Sequence, residues 1–550
     1  MEKNLHCVTS APSMFASLWD AFSTRTWTIV LVLSLSAASH CIYQIYFHPL
    51  AKYPGPLLAK FTFARAAYYA WKGNIHLDMW RCHQKYGPIV RYGPDHVLFN
   101  TASGLRGEHM RGSPCVKSRH TKIIDIYGMG QNTWKHRHYA AFNRRSANLV
   151  TMYDKKEHAR RRRLIGPAFS EANMRRFEDR LRGHVVSFCQ KIYPVSAPTK
   201  LHNLSWGPPI KCSDWCSYLV FDIMTDFIFG VNYNVLGTND CRPIIDYIKE
   251  AAVRSAVLVY LPWLTLGRLD KKIFTKSVHA TREYWKWIKR TMNRHSMVSV
   301  LDDALTYLHG SKEGQSDIGL GAQEILSESG LLAIAGLDTT ATSLAALLFY
   351  LSRNSHAYAS LASEIRTTFL NVDEISLAKL KTCTYLYACI DECLRISPPV
   401  GACPWREVGD GGVTIDGHFI PEGYSVGTAI YSIHHNWAFF PRPHEYIPER
   451  WIVTTDNNKE QVDVAKSAYS PFLIGPRSCI GQTLTYSELL LTTAMVIWKY
   501  EFKAATGMEE LGAGNPFAEL GRTNPMEFQI IDRSFSLMEG PMIQFRPRSM

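Results

Sequence analysis

The run Phe472-Leu473-Ile474-Gly475-Pro476-Arg477-Ser478-Cys479-Ile480-Gly481 constrains this chain more than any other stretch. It is a turn ending in a cysteine, and an amphipathic apolar run follows at once: Leu484, Leu489, Leu490, Leu491, Ala494, Met495 and Ile497. A helix is therefore expected to open just after Cys479. Free backbone N–H groups and the partial positive charge of a helix N-terminus favour thiolate over thiol. Gly475 and Gly481 let the backbone come close to something large and flat. The plain alternative is a buried structural cysteine beside an ordinary loop-helix junction.

A thiolate held in this way is the axial ligand that pushes electron density onto a heme iron. A second pattern agrees with it. Ser316 to Ser352 reads as a long helix with Ala335-Gly336-Leu337-Asp338-Thr339-Thr340 at its centre. Gly336, Asp338 and the threonines are poor helix formers, so a functional break is expected there. Gly336 leaves room for O₂ beside a cofactor plane, Thr339 can hydrogen-bond it, and Asp338 can relay protons. The competing reading is a kink with threonine hydroxyls bonded back to the helix. A third pattern is His158-Ala159-Arg160-Arg161-Arg162-Arg163. His158 and Arg162 share one helical face, and buried heme propionates need such cations. A solvated basic face is the alternative.

These motifs resemble the cytochrome P-450 family, and the cysteine loop matches F-x-x-G-x-R-x-C-x-G at every fixed position. The resemblance covers roughly residues 45–545. It implies a mainly α fold with a small β region and heme b as cofactor, with Cys479 as metal ligand and Asp338 and Thr339 as catalytic residues. Phe472, Gly475, Arg477, Gly481 and Gly336 would surround the cofactor. His158, Arg162 and Arg406 would hold propionates with Arg477, His158 standing where tryptophan is commoner. The other arginines of the run would face an acidic reductase. Glu392, Arg395 and Arg450 would form a buried network of structural purpose. Val400–Cys403 and Ser534–Met538 would line the substrate pocket. The partners implied are an NADPH-cytochrome reductase, O₂ and a lipophilic small molecule, best read as a fungal secondary-metabolite intermediate. A reductase-independent isomerase or dehydratase and a non-catalytic heme-binding membrane protein are the alternatives.

Residues 26–51 contain no Lys, Arg, Asp or Glu. Trp27 to Phe47 is long enough to cross ~30 Å of hydrocarbon as a helix, with aromatic residues at both ends. A cleaved signal peptide competes, but the leader carries no net positive charge and the apolar run continues past the candidate cut. The expected layout is a lumenal leader (1–25), a membrane anchor (26–47), a proline-rich hinge (48–56) and a heme-binding domain (57–550). Basic residues after the anchor (Lys52, Lys60, Arg65, Lys72) place the bulk of the chain in the cytosol, at the endoplasmic reticulum.

Composition bounds the rest. The chain has 550 residues, 46% hydrophobic and 20% charged, which is globular rather than disordered. Its net charge of +13 comes with no recognisable nucleic-acid module, so an acidic membrane surface or protein partner is expected instead. Thirteen cysteines cannot all pair, and no C-x-x-C occurs. The reading is a reducing compartment without a disulfide framework or a zinc site. Gly107–Lys122 is polar, basic and aperiodic, either an exposed insertion or untranslated sequence read through. Asn203-Leu204-Ser205 is a glycosylation sequon, expected to be unused if the globule is cytosolic.

Overall fold

Uncovered apolar surface marks the N-terminal helix off from the rest of the chain. The structure, a computed structural model, describes residues 11–101, 123–142, 146–193, 205–295, 303–309, 319–533 and 536–548. The 107–122 stretch, Asn203 and Ser534 lie outside these. Helix α1 (Ala11–Ile42) runs on through a π-helical turn, Tyr43–Phe47. Over Thr26–Phe47 none of it is buried in the protein, and Trp27, Leu33 and Phe47 are 71%, 63% and 73% exposed. Apolar surface of that extent needs a lipid cover, so this helix is a candidate membrane span. The link behind it is docked on the globule. Leu50 and Tyr53 are buried, and the Arg91 guanidinium donates to the backbone and side-chain oxygens of Gln44 at 2.8 and 2.6 Å.

Helices build the core. They are α2 (Lys155–Ile165), α3 (Glu171–Ile192), α4 (Cys212–Phe229), α5 (Arg242–Tyr260), α6 (Ala322–Arg353), α7 (Thr384–Ile396), α8 (Ile430–His434) and α9 (Gln482–Lys499). Start signals are local. Asp154 accepts from Glu157 N at 2.6 Å ahead of α2, and Glu324 accepts from Gly321 N at 2.9 Å ahead of α6. Helix α6 is apolar around nearly its whole circumference, so it threads the middle of the molecule with α4, α7 and α9 around it, and α3 packs on α4 and α9. It begins later than the sequence pattern predicts and runs through residues 336–340 without a break. Asp222 on α4 caps the chain that follows, accepting from Val235 N and Leu236 N at 2.9 and 3.1 Å.

A small sheet walls one side. Strands β1 (Ile89–Arg91), β2 (His96–Phe99), β3 (Thr133–Lys135), β4 (Arg406–Val408) and β5 (Ser425–Gly427) lie in the order β1-β2-β5-β4-β3. The antiparallel register of β3 on β4 sets Lys135 opposite Arg406. Like charges directly across a strand pair repel, so this register is informative about the site.

The arginine run of α2 divides differently from the sequence reading. Arg161 does not face a partner protein. It is buried and donates to Glu157 at 2.8 Å and Glu328 at 3.1 Å, and to Glu324, which bolts α2 to α6. Arg163 points to solvent.

Candidate functional site

The cysteine loop is pinned at several points. Cys479 N donates to Phe472 O at 2.8 Å, Ser478 N to Gly475 O at 3.1 Å, and Thr485 N to Gly481 O at 2.9 Å. Helix α9 opens within three residues of the sulfur. The Cys479 side chain is accessible although it lies deep in the protein, because it opens on an internal cavity. Enclosure pushes its thiol up. The N–H groups of Gly481 and Gln482 and the Arg162 charge pull the other way. Phe472 lines the same cavity and packs on Tyr486, ring centroids 5.5 Å apart.

The glycines serve other purposes than expected. Gly475 has φ +73°, and a Cβ there would run into the Tyr127 carbonyl. It is required for a close approach between two protein segments. Gly336 is similar, since a Cβ there would meet the Met224 side chain on α4. Its small size lets α4 and α6 pack closely, and it does not line the cavity. A Cβ on Gly481 would be in ordinary contact with Cys479 and Phe169.

Above the sulfur the cavity is walled by Val259 and Tyr260 of α5, Val400, Ala402 and Ile430, with Thr339 of α6. Ser536–Met538 do not line it. The Ser536 hydroxyl donates instead to Pro399 O, and so braces the wall from behind. Thr339 Oγ1 donates to Ala335 O at 2.7 Å, which keeps the helix regular and leaves the hydroxyl lone pairs free to accept. Asp338 is buried, and its Oδ2 has no partner among the described residues. Burial pushes its carboxyl up to about 7, against a weaker opposing pull from Lys249.

A second cavity adjoins the first and shares Lys135, Arg406 and Arg477 with it. His158 and Arg162 line its far side. The hydrogen bonds of these arginines run to backbone carbonyls: Arg162 to Ser478 at 2.6 Å, Arg477 to Met152 at 2.7 Å, Arg406 to Trp405 at 3.0 Å. Burial, then the charges of Arg477, Lys135, Arg162 and Arg406, drives the His158 imidazole down to about 3. Lys135 is pushed well below the usual lysine range by burial and then by Arg406 and Arg477. Three arginines, with a histidine and a lysine whose protonated forms they disfavour, line a cavity that has no carboxylate in its wall, and form a site for an anion. Heme b brings two propionates, and a sulfur faces the same space, so the residues present fit that group. Lys135 was not legible as a member. Its membership comes from the β3–β4 register, which motif spacing does not carry.

The third group of expected residues is self-contained. Arg395 donates two bonds to the Glu392 carboxylate at 2.8 and 2.9 Å. Arg450, Trp451 and the Ile447 N–H complete the shell at 3.4, 3.0 and 3.0 Å. Arg395 also holds the carbonyls of His434 and Pro443. Glu488 on α9 was missed. It is buried beside Thr340 with both carboxylate oxygens unpartnered among the described residues, and burial pushes it up to about 8. A lone carboxylate preceding the buried Leu489-Leu490-Leu491 run was the available signal.

An enclosed apolar chamber that offers a sulfur to a metal and a cationic rim to a flat dianion is the chamber of a heme-thiolate protein. Comparison with known proteins agrees. Residues 52–512 match the family model described as Cytochrome P450. The chain is 40% identical to the cytochrome P450 monooxygenase poxM of Penicillium oxalicum, over 92% of this chain and 91% of the relative. It is 36% identical to the cytochrome P450 monooxygenase AKT7 of Alternaria alternata, over 96% and 98%. It is 34% identical to the cytochrome P450 monooxygenase atnE of Emericella nidulans, over 98% and 99%. The chain belongs to the cytochrome P450 family. Its class of activity is monooxygenation, its cofactor is heme bound through a cysteine thiolate, and the family works with O₂, a small-molecule substrate and a reductase.

Proposed function

We propose that the protein hydroxylates or otherwise oxidises a lipophilic small molecule of fungal secondary metabolism, with electrons from an NADPH-cytochrome reductase. The observation that carries this reading is one largely apolar chamber lined by both Cys479 and Thr339. Cys479 is the thiolate ligand. Arg162, Arg406, Arg477 and His158, with Lys135, receive the propionates and lose their mutual repulsion in doing so. When bound, heme supplies the activation of O₂.

The remaining work belongs to side chains. The apolar wall takes up a lipophilic substrate and excludes water from it. Thr339 Oγ1 is tethered to Ala335 O, so its free lone pairs accept a hydrogen bond from inside the chamber. Asp338, poised near neutrality by burial, gives up a proton and takes one back at Oδ2 without a large cost in either state. Glu392, Arg395 and Arg450 hold the layer behind the cysteine loop rigid. In this reading α1 is the anchor and the globule lies on the cytosolic face of the endoplasmic reticulum membrane, a reading supported by the exposed apolar surface of Thr26–Phe47 and the basic residues that follow it.

The test is co-expression with a fungal NADPH-cytochrome reductase and incubation with extracts of a producing fungus. The expected result is NADPH- and O₂-dependent loss of one lipophilic compound and gain of an oxygenated product. Conversion of that compound without NADPH would instead identify an isomerase or dehydratase, and no conversion of any compound would contradict the proposal.

A further inference from the structure

Away from the heme chamber, three segments distant in sequence bring His435, His444 and Glu527 together. Their potential ligand atoms all lie within 4.8 Å of one another. His435 follows α8, His444 lies in the turn after Phe440-Pro441, and Glu527 closes a turn on Asn524. The cysteine spacing gave no zinc site, and no local motif joins these residues. The fold assembles them.

Hydrogen bonding fixes the state of His435. Its Nδ1 lies 2.9 Å from the Tyr431 carbonyl. A carbonyl only accepts, so Nδ1 carries a proton, and in the neutral ring Nε2 carries the lone pair. That Nε2 is buried, without a partner among the described residues, and points at Glu527 Oε1 at 3.8 Å. A lone pair facing a carboxylate oxygen across that gap is unfavourable unless a cation lies between them. His444 Nδ1 closes the third side, 3.2 Å from Glu527 Oε2. Glu527 is itself oriented by the Tyr431 hydroxyl. Arg522 is near, but its bonds go to Asn74 at 3.1 Å, Gln529 at 2.9 Å and Ile530 O at 2.9 Å, so no ion pair with Glu527 removes that carboxylate from the set.

We propose that His435 Nε2, His444 Nδ1 and Glu527 bind one divalent transition-metal ion, of which zinc fits best. Two imidazoles and a carboxylate suit zinc, whereas calcium and magnesium take oxygen ligands. Zn–N bonds of ~2.0–2.1 Å and Zn–O of ~2.0–2.2 Å place tetrahedral donors roughly 3.4 Å apart. The His435–Glu527 and His444–Glu527 separations of 3.8 and 3.2 Å straddle that value. The backbone carbonyl on His435 and the tyrosine on Glu527 are the outer contacts that metal ligands ordinarily have. His444 is 37% exposed, so a water reaches the fourth position from its side. The ion would clamp the end of α8, the 441–447 turn and the 524–529 segment, a structural role independent of the heme reaction.

The test uses the full-length, heme-loaded protein in detergent, stripped with a chelator and titrated with zinc chloride, with bound zinc and Tm measured. The expected result is one equivalent more zinc in the wild type than in His435→Gln, and a zinc-dependent rise in Tm that the variant lacks. His444→Asn, at a half-exposed position, should lower affinity at least tenfold while keeping the heme spectrum. Tyr431→Phe should lower it about tenfold through Glu527. Equal zinc content in wild type and both histidine variants, or no saturable binding below millimolar zinc, would overturn the proposal whatever the heme spectrum shows.

Discussion

Two clusters of arginine, one around Glu392 and one lining the cavity beside the cysteine loop, differ in one respect. Around Glu392 every guanidinium has its carboxylate: Arg395 and Arg450 converge on a single side chain that is wholly enclosed. Around His158, Arg162, Arg406 and Arg477 there are cations and carbonyls, with Lys135 set directly against Arg406. Desolvating a charge is costly unless a counter-charge comes with it. The first cluster carries its own counter-charge and is complete as folded. The second is missing one, and so it defines what must bind. Arginine in the sequence does not separate the two cases. The presence or absence of a carboxylate within reach does.

The largest effect should come from breaking the complete cluster. Glu392→Ala leaves Arg395 buried without a counter-charge, at a cost of about 3–5 kcal/mol. The expected outcome is almost no soluble holoprotein. A variant that folds with Tm lowered by only a degree or two would erase the contrast between the clusters.

The incomplete cluster should respond otherwise. Arg406→Ala removes one anion contact, and charged hydrogen bonds contribute about 1.5–3 kcal/mol. Heme affinity should fall about 10- to 100-fold in a hemin titration, with the far-ultraviolet circular dichroism unchanged. Loss of secondary structure in this variant would show that Arg406 is part of the scaffold.

The pH response of the holoprotein sharpens the comparison, because Asp338 lies outside both clusters. Its carboxyl is raised to about 7 by burial, against ~3.9 unfolded. The folded state therefore binds the extra proton, and its stability should fall as pH rises between about 4 and 7. Asp338→Asn should flatten that decline and slow turnover at least tenfold. An unchanged Tm profile in the variant would remove Asp338 as a buried proton carrier.

The smallest effect belongs to Arg163, one of two arginines of α2 that the sequence does not distinguish. Arg163→Glu should raise the apparent KM for reductase a few-fold, an effect that disappears at high salt. Arg161→Gln should instead lower Tm, because it unbolts α2 from Glu324 and Glu328.

Much of this was legible in the residues. The helix that opens after the cysteine loop, the body of α6 and the apolar run of α1 are local signals, set by glycine, proline and apolar period, and helices stand at each, although α6 starts later than its pattern and runs unbroken through 336–340. What the sequence could not supply was direction. Spacing alone put Gly336 beside a cofactor, but the α4–α6 crossing uses it to admit Met224. Helical spacing paired His158 with Arg162, but only the strand register adds Lys135. Ser534–Met538 read as pocket lining by analogy, whereas Ser536 turns to Pro399. Tertiary contacts decide such cases, and they are written nowhere in the local pattern.

The central claim is the bond from Cys479 to heme iron. Its most direct test is the carbon monoxide difference spectrum of the reduced protein, wild type against Cys479→Ser, each purified with heme. The account predicts the red-shifted band of thiolate ligation in the wild type and its absence in the variant, which should still retain heme through the arginines. A variant that keeps the red-shifted band and full turnover would contradict it.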